Sequence, residues 1–223
     1  MTGFVVLIVI SVLLVLTLIF LIGDLVISFQ EIKSHPKRVY KALFGYADEN
    51  DHLLLNNIDL FLEGDYTAPT RFDHILFADK YIYIITDFAL RGGLYGNIND
   101  PNIFVRKPSG QAQQIHNPIP YSAERITRFE KLLQVNQGDR MIVSIVVYNN
   151  SLVVPESLRK MDKNSWFISL SELIPTIRKA EKDDVTPIPH EMTQSMLNTI
   201  KSRSENIKEA LEKQAQQQRG KAA

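Results

Sequence analysis

One uninterrupted apolar run, GFVVLIVISVLLVLTLIFLIG over residues 3–23, constrains this chain more than anything else in it. It has no charge and no proline, and its only polar side chains are Ser11 and Thr17. Roughly 20 such residues, rising ~1.5 Å each, cover the ~30 Å hydrocarbon core of a bilayer. Backbone amides in that core find partners only within their own segment, which leaves a helix as the viable form. The expectation is one transmembrane helix over 3–23, with 25–29 (LVISF) prolonging it toward the interface. A cleaved signal peptide would need a basic start, a shorter apolar stretch and a small-residue cleavage site. None of these is read here, so the helix is expected to stay attached.

Lys33, Lys37, Arg38 and Lys41 follow the run, while only Met1-Thr2 precede it. Under the positive-inside rule this puts the N-terminus outside the cell membrane and the C-terminal mass in the cytoplasm. The juxtamembrane basic segment, 24–36, and His35 in it are within reach of anionic head groups. The remainder is long enough for one domain with a proper core. With 25 Lys+Arg against 25 Asp+Glu, no global field favours nucleic acid, though a local patch is compatible with neutrality. There is no cysteine, which excludes disulfides, thiolate chemistry and cysteine-ligated zinc.

After Pro36 the apolar residues Leu43, Phe44, Ala47, Leu54, Ile58 and Phe61 recur at helical spacing, which predicts a helix from about 37 to 61. FDHILF (72–77) and YIYIIT (81–86), broken by Ala78-Asp79-Lys80, read as a hairpin. Gly92, Gly93 and Gly96 punctuate a turn region; no GK[ST] follows, so they are not a phosphate loop. IFVRK (103–107) reads as a third strand, and Pro118 and Pro120 open a helix with Ile126, Phe129, Leu132 and Leu133 on one side. MIVSIVVY (141–148) is the most apolar strand, WFISL (166–170) a short one, and Ser171 caps a helix through Arg178. Those elements make one α/β domain over 37–181. A linker (182–190) and a polar tail, helical or disordered (191–223), follow. In the tail Leu197, Ile200, Ser204, Ile207 and Leu211 carry a short coiled-coil spacing that offers self-association through 197–211.

From about Phe44 to Ile177 the chain resembles the nuclease-related domain (NERD) family of the PD-(D/E)xK nuclease-like superfamily. The resemblance is carried by Gly45 with Glu49, Phe72-Asp73-His74, the strand YIYIIT, Arg91-Gly92 with Gly96, Asn117-Pro118, and IVSIVVY, in that order. It implies a restriction-endonuclease-like mixed sheet flanked by helices. It also implies Mg²⁺-dependent phosphodiester hydrolysis, in which acids on adjacent strands hold the metal and a lysine helps position the attacking water. Mapped onto this chain, the first acid, and so the metal ligand, is Asp73, and the helix acid is Glu49. The second acid falls on Thr86 and the lysine on Phe88. Neither side chain can do the work. Asp87 is adjacent but should face away from Thr86 on a strand, and Tyr121 stands where a glutamine is often found. The resemblance therefore implies a degenerate site made of Asp73, Thr86, Asp87, Phe88 and Glu49. No cofactor is expected, and Mg only if the site is active.

Arg91, Arg106 and Lys107 form a candidate rim for nucleic acid or another phosphate-bearing partner; Arg91 or Lys107 could also supply a migrated catalytic cation. His52, His74 and His116 match no metal-ligand spacing. The expected function is a membrane-tethered cytoplasmic pseudoenzyme domain that acts in protein interaction or membrane assembly, its partners being the lipid bilayer and a protein. Two alternatives stay open: a membrane-attached nucleic-acid binder, and an active Mg-dependent nuclease with migrated residues.

Overall fold

The computed structural model of the chain describes residues 2–62, 69–135, 141–159 and 164–204; within the first helix, the side chains of 2–9, 11, 24, 25 and 28 lie outside the description. The first helix, α1 (Thr2–Asn50), runs unbroken through Pro36. Contrary to the expectation from sequence, no separate helix begins after His35-Pro36. A proline inside a helix removes one hydrogen bond and costs about 3 kcal/mol. Packing outweighs that cost, because Val39, Leu43, Tyr46 and Ala47 are buried one turn after another beyond it. Among the described residues, no helix is long and apolar enough to cross a membrane. The described side chains of the apolar run are those of residues 10 and 12–23.

The expected helical end at Phe61 is also corrected. α1 stops at Asn50, Asp51 turns left-handed (φ 56°), and the His52 N–H donates to Ala47 O at 2.9 Å. That six-to-one bond over a left-handed residue is the Schellman way of closing a helix, here without glycine. The chain then becomes strand β1 (Leu53–Leu60), antiparallel to β2 (Thr70–Phe77). β2 pairs antiparallel with β3 (Ile82–Phe88), which confirms the hairpin. Instead of one third strand, the turn region builds a separate sheet of β4 (Gly93–Tyr95), β5 (Asn102–Arg106) and β6 (Ala112–His116).

Helix α2 (Pro118–Leu133) begins as expected, with the Asn117 side chain accepting the Ile119 N–H at 3.1 Å. Strand β7 (Ile142–Tyr148) is buried on both faces and runs parallel to β3, as a near-continuous apolar strand should. β8 (Ser165–Ser169) pairs parallel with β7, and α3 (Leu173–Ala180) follows. The cap of α3 is Glu172 rather than Ser171, its carboxylate accepting from Ser169 N at 2.8 Å. The main sheet therefore has the order β1-β2-β3-β7-β8 and is mixed.

On one face α1 and α3 cover Leu76, Tyr83, Ile85 and Val143–Val147 alternates through Val39, Leu43, Leu173 and Ile177. On the other, α2 packs Ile126, Phe129, Leu132 and Leu133 against Phe72, Ile75, Ile82 and Ile142. The three-stranded sheet closes a third cluster with Leu94, Ile103 and Val105 against Val146, Tyr148 and Phe167. The segment expected to be a linker is pinned by its Ile188 N–H, 2.7 Å from Asp79 O. Beyond it a helix over 190–204 lays Met196 and Ile200 into the α2-side core, with Leu197 partly buried beside them. The residues that suggested a coiled coil thus pack within the chain as far as Ile200; Ile207 and Leu211 lie outside the described residues.

Candidate functional site

The strand pair β2–β3 brings the positions singled out in the sequence to its end nearest α2 and the middle of α1. Alternation sorts them by face. Tyr83 and Ile85 point to the α1 side, so Asp87 does too; Ile82 and Ile84 point to the α2 side, with Thr86 and Phe88 following. The contacts agree. Asp87 Oδ2 lies 3.2 Å from His74 Nε2, whose ring stacks on Tyr40 of α1 at 6.4 Å. Thr86 Oγ1 instead accepts from the Arg125 guanidinium of α2 at 3.5 Å. Phe88 packs edge-on against Phe167 at 5.8 Å.

Asp73 sits between the two sides, with Oδ2 accepting the backbone N–H of Asp87 at 3.1 Å. Burial pushes its carboxyl above the usual range, against the opposing pull of that N–H; the Asp87 charge adds to the rise, and His74 and Arg125 offset part of it. Glu49 is elsewhere. It leaves α1 on the outer surface and meets Arg178 of α3 at 2.6 Å. Among the described residues no group of three or more His, Cys, Asp or Glu is placed to hold a metal ion. His52, His74 and His116 lie respectively after α1, in β2 and at the end of β6.

Arg125 stands at this centre without having been singled out from the sequence, and His35, expected within reach of anionic head groups, is instead fully buried against the sheet. Arg125 is buried on α2, stacks over Phe72 at 4.8 Å and Tyr121 at 5.7 Å, and donates to Arg71 O. Burial lowers its pKa, while Tyr121 and Asp73 favour its charge. His35, fully buried on α1, has Nε2 3.0 Å from Val147 O, so that nitrogen carries the proton and donates. Its Nδ1, like Asp87 Oδ1, His74 Nδ1 and Arg125 Nε, is buried without a hydrogen-bond partner. Both had a legible signal. Arg125 falls one turn after Ser122 and one before Phe129, and His35 one turn before Val39, so each charge-bearing group lies on an apolar stripe.

The candidate rim splits. Arg106 stacks over Tyr95 at 4.8 Å, whereas Arg91 and Lys107 line a cavity between α1 and the small sheet. No family model, no curated protein and no solved structure matches the chain.

Proposed function

We propose that this chain is a membrane-tethered, non-catalytic nuclease-like domain that works through protein interaction or membrane assembly. The resemblance to the NERD family requires a divalent ion between Asp73 and the position of Thr86. Arg125 carries the reading: its guanidinium reaches Thr86 and stacks over Phe72, so a fixed cation occupies that ground. Like charges at bonding distance in a poorly solvated site repel by several kcal/mol, and Asp73 alone does not offset that. Asp87, the nearest spare acid, is turned to the opposite face and held by His74. Phe88 stands where the resemblance calls for the lysine that positions the attacking water.

The tether rests on the 3–23 run, and Lys33, Lys37, Arg38 and Lys41 beyond it support a cytoplasmic domain. Two measurements test the proposal. Full-length protein incubated with plasmid DNA and Mg²⁺ or Mn²⁺ should leave it intact, and Asp73→Ala should behave identically; cleavage that depends on Asp73 would overturn the non-catalytic reading. Extracted from its own membranes in mild detergent, the chain should co-elute with a protein in fixed stoichiometry. Elution alone across detergents would remove the interaction role.

A further inference from the structure

The strand edges of the two sheets are guarded unequally. β8 ends the main sheet with nearly every residue buried. β1, at the other end, carries Asp59 and a left-handed Asn57 (φ 52°) that interrupts its pairing with β2 between Asn56 and Ile58. Charges and such irregularities keep an open edge from pairing with another chain. In the small sheet the β4 edge is bridged by Val153. The opposite edge, β6, has no such guard. Its sequence AQQIH holds no proline, lysine, arginine or carboxylate, its register with β5 is unbroken, and four of its five residues are exposed.

The register fixes which backbone groups face outward. Lys107 N–H donates to Gln111 O and Asn117 N–H to Pro101 O, each at 2.9 Å, at the two ends of the β5–β6 ladder. Antiparallel bonding alternates, so Gln113 and Ile115 bond β5 while the N–H and C=O of Ala112, Gln114 and His116 point away from it. Among the described residues no further strand pairs with β6. Donors and acceptors repeated at two-residue spacing are matched by another extended backbone.

Beside this edge lies a cavity of about 470 Å³ between α1 and the small sheet. Gln113 and Ile115, on one face of β6, line it with Phe29 and Ile32 of α1 and Val105 of β5. A strand added to β6 would send every second side chain to that face, toward these apolar walls. Lys107 also lines the cavity, its side chain in no ion pair among the described residues, and none of the described lining residues is acidic. That unmatched charge suits a carboxylate.

We propose that β6 takes an extended segment of a partner protein as a fourth strand of the small sheet, with alternate apolar side chains entering the cavity and a carboxylate meeting Lys107. The proposal rests on the protein-interaction reading and specifies the partner's form. It is tested by panning full-length protein in mild detergent against a phage library of random dodecapeptides, the enriched peptide then being synthesised as the probe. Enriched peptides should alternate apolar and polar residues and carry an acid near one end. Gln114→Pro removes an outward N–H without breaking a bond to β5 and should weaken the peptide about tenfold, whereas Gln114→Ala should bind as wild type. Lys107→Ala should cost about fivefold, the upper range for an exposed ion pair. In the wild-type chain, bound peptide should slow amide exchange at Ala112, Gln114 and His116 but not at Gln113 and Ile115, a readout independent of how any variant folds. No enrichment over bare beads, equal affinity for Gln114→Pro and Gln114→Ala, or unchanged exchange at the three outward amides overturns the site. A wild-type dimer that Gln114→Pro turns into a monomer would give the edge to a second copy and overturn the partner. Co-elution of the natural partner unchanged by Gln114→Pro sinks this site alone; a chain that elutes alone sinks the interaction role, and this proposal with it.

Discussion

His35 sits where a long helix presses on the most buried strand of the sheet, and its chemistry makes the contact sensitive to acid. Its Nε2–H donates to Val147 O, leaving a buried Nδ1 lone pair without a partner. A second proton would have to be placed on that nitrogen with nothing to receive it. Burial accordingly lowers the pKa from its ordinary 6.5; the Val147 carbonyl and the charges of Asp87 and Glu31 pull the other way, and Arg38 adds to the lowering. The unfolded chain then binds the proton more readily than the folded one, so stability rises with pH across the window. The contribution is complete above pH 6.5 and is lost as the pH falls below it toward the folded-state value. Asp73 acts in the opposite sense. Its raised pKa favours the protonated fold, so its contribution weakens as the pH climbs from 3.8. A variant comparison separates the two. His35→Gln keeps an N–H for Val147 but cannot titrate, so its unfolding midpoint should decline less steeply than wild type below pH 6.5. Parallel profiles from urea titrations at several pH values would show that His35 does not set the acid limit.

Elements differ in how plainly their residues announce them. α2 was legible because Asn117-Pro118 supplies both a cap and a preformed first turn, and Ile126, Phe129 and Leu133 give an apolar stripe. β7 was legible because IVSIVVY leaves no polar face. β1 was not. Leu54, Ile58 and Phe61 fit helical spacing as well as they fit a strand, and the stop between α1 and β1 uses Asp51 in a left-handed turn, where glycine would have signalled it. β6, AQQIH, is nearly all exposed and shows no alternation; only pairing with β5 makes it a strand. The candidate site followed the same logic. Side-chain alternation foretold that Asp87 and Thr86 would part, but a cation arriving from α2 is a tertiary fact that spacing within β3 does not contain. From sequence the 190–204 helix stays open between helix and disorder and does not read as a core element, because its few apolar residues stand among Glu191, Gln194, Asn198, Lys201 and Arg203. Its contribution can be measured. Ile200, 2% exposed among Leu60, Phe72 and Phe129, should cost about 2–4 kcal/mol when cut to alanine, the range for large-to-small changes in a packed core. Denaturant unfolding of Ile200→Ala reads this directly, and a change near zero would mean that the helix only rests on the surface.

At the scale of the whole molecule, the membrane-tether proposal divides the chain's apolar surface between two solvents. Below Pro36, α1 contributes to a protein core. Above it, every described large apolar side chain from Ile10 to Phe29 is 46–77% exposed to whatever surrounds the helix. Phe29 lines a cavity with Leu90 and Ile115 of other elements, but at about 25 cal/mol per Å² the exposed stripe is strongly unfavourable in water. Under that proposal a bilayer would remove the cost, and the continuous helix would carry the bilayer's position to the sheet. The division predicts a clean separation on truncation. Full-length protein should remain in the membrane pellet through an alkaline carbonate wash, while a chain lacking residues 1–23 should move to the supernatant. Its domain should melt within a few degrees of the intact protein, because the core contacts of α1 begin at His35 and Val39, well past the cut. Release of the full chain by carbonate would mean that the stripe is covered by protein instead of lipid. A truncated chain that stays in the pellet would locate the attachment on the domain's own surface.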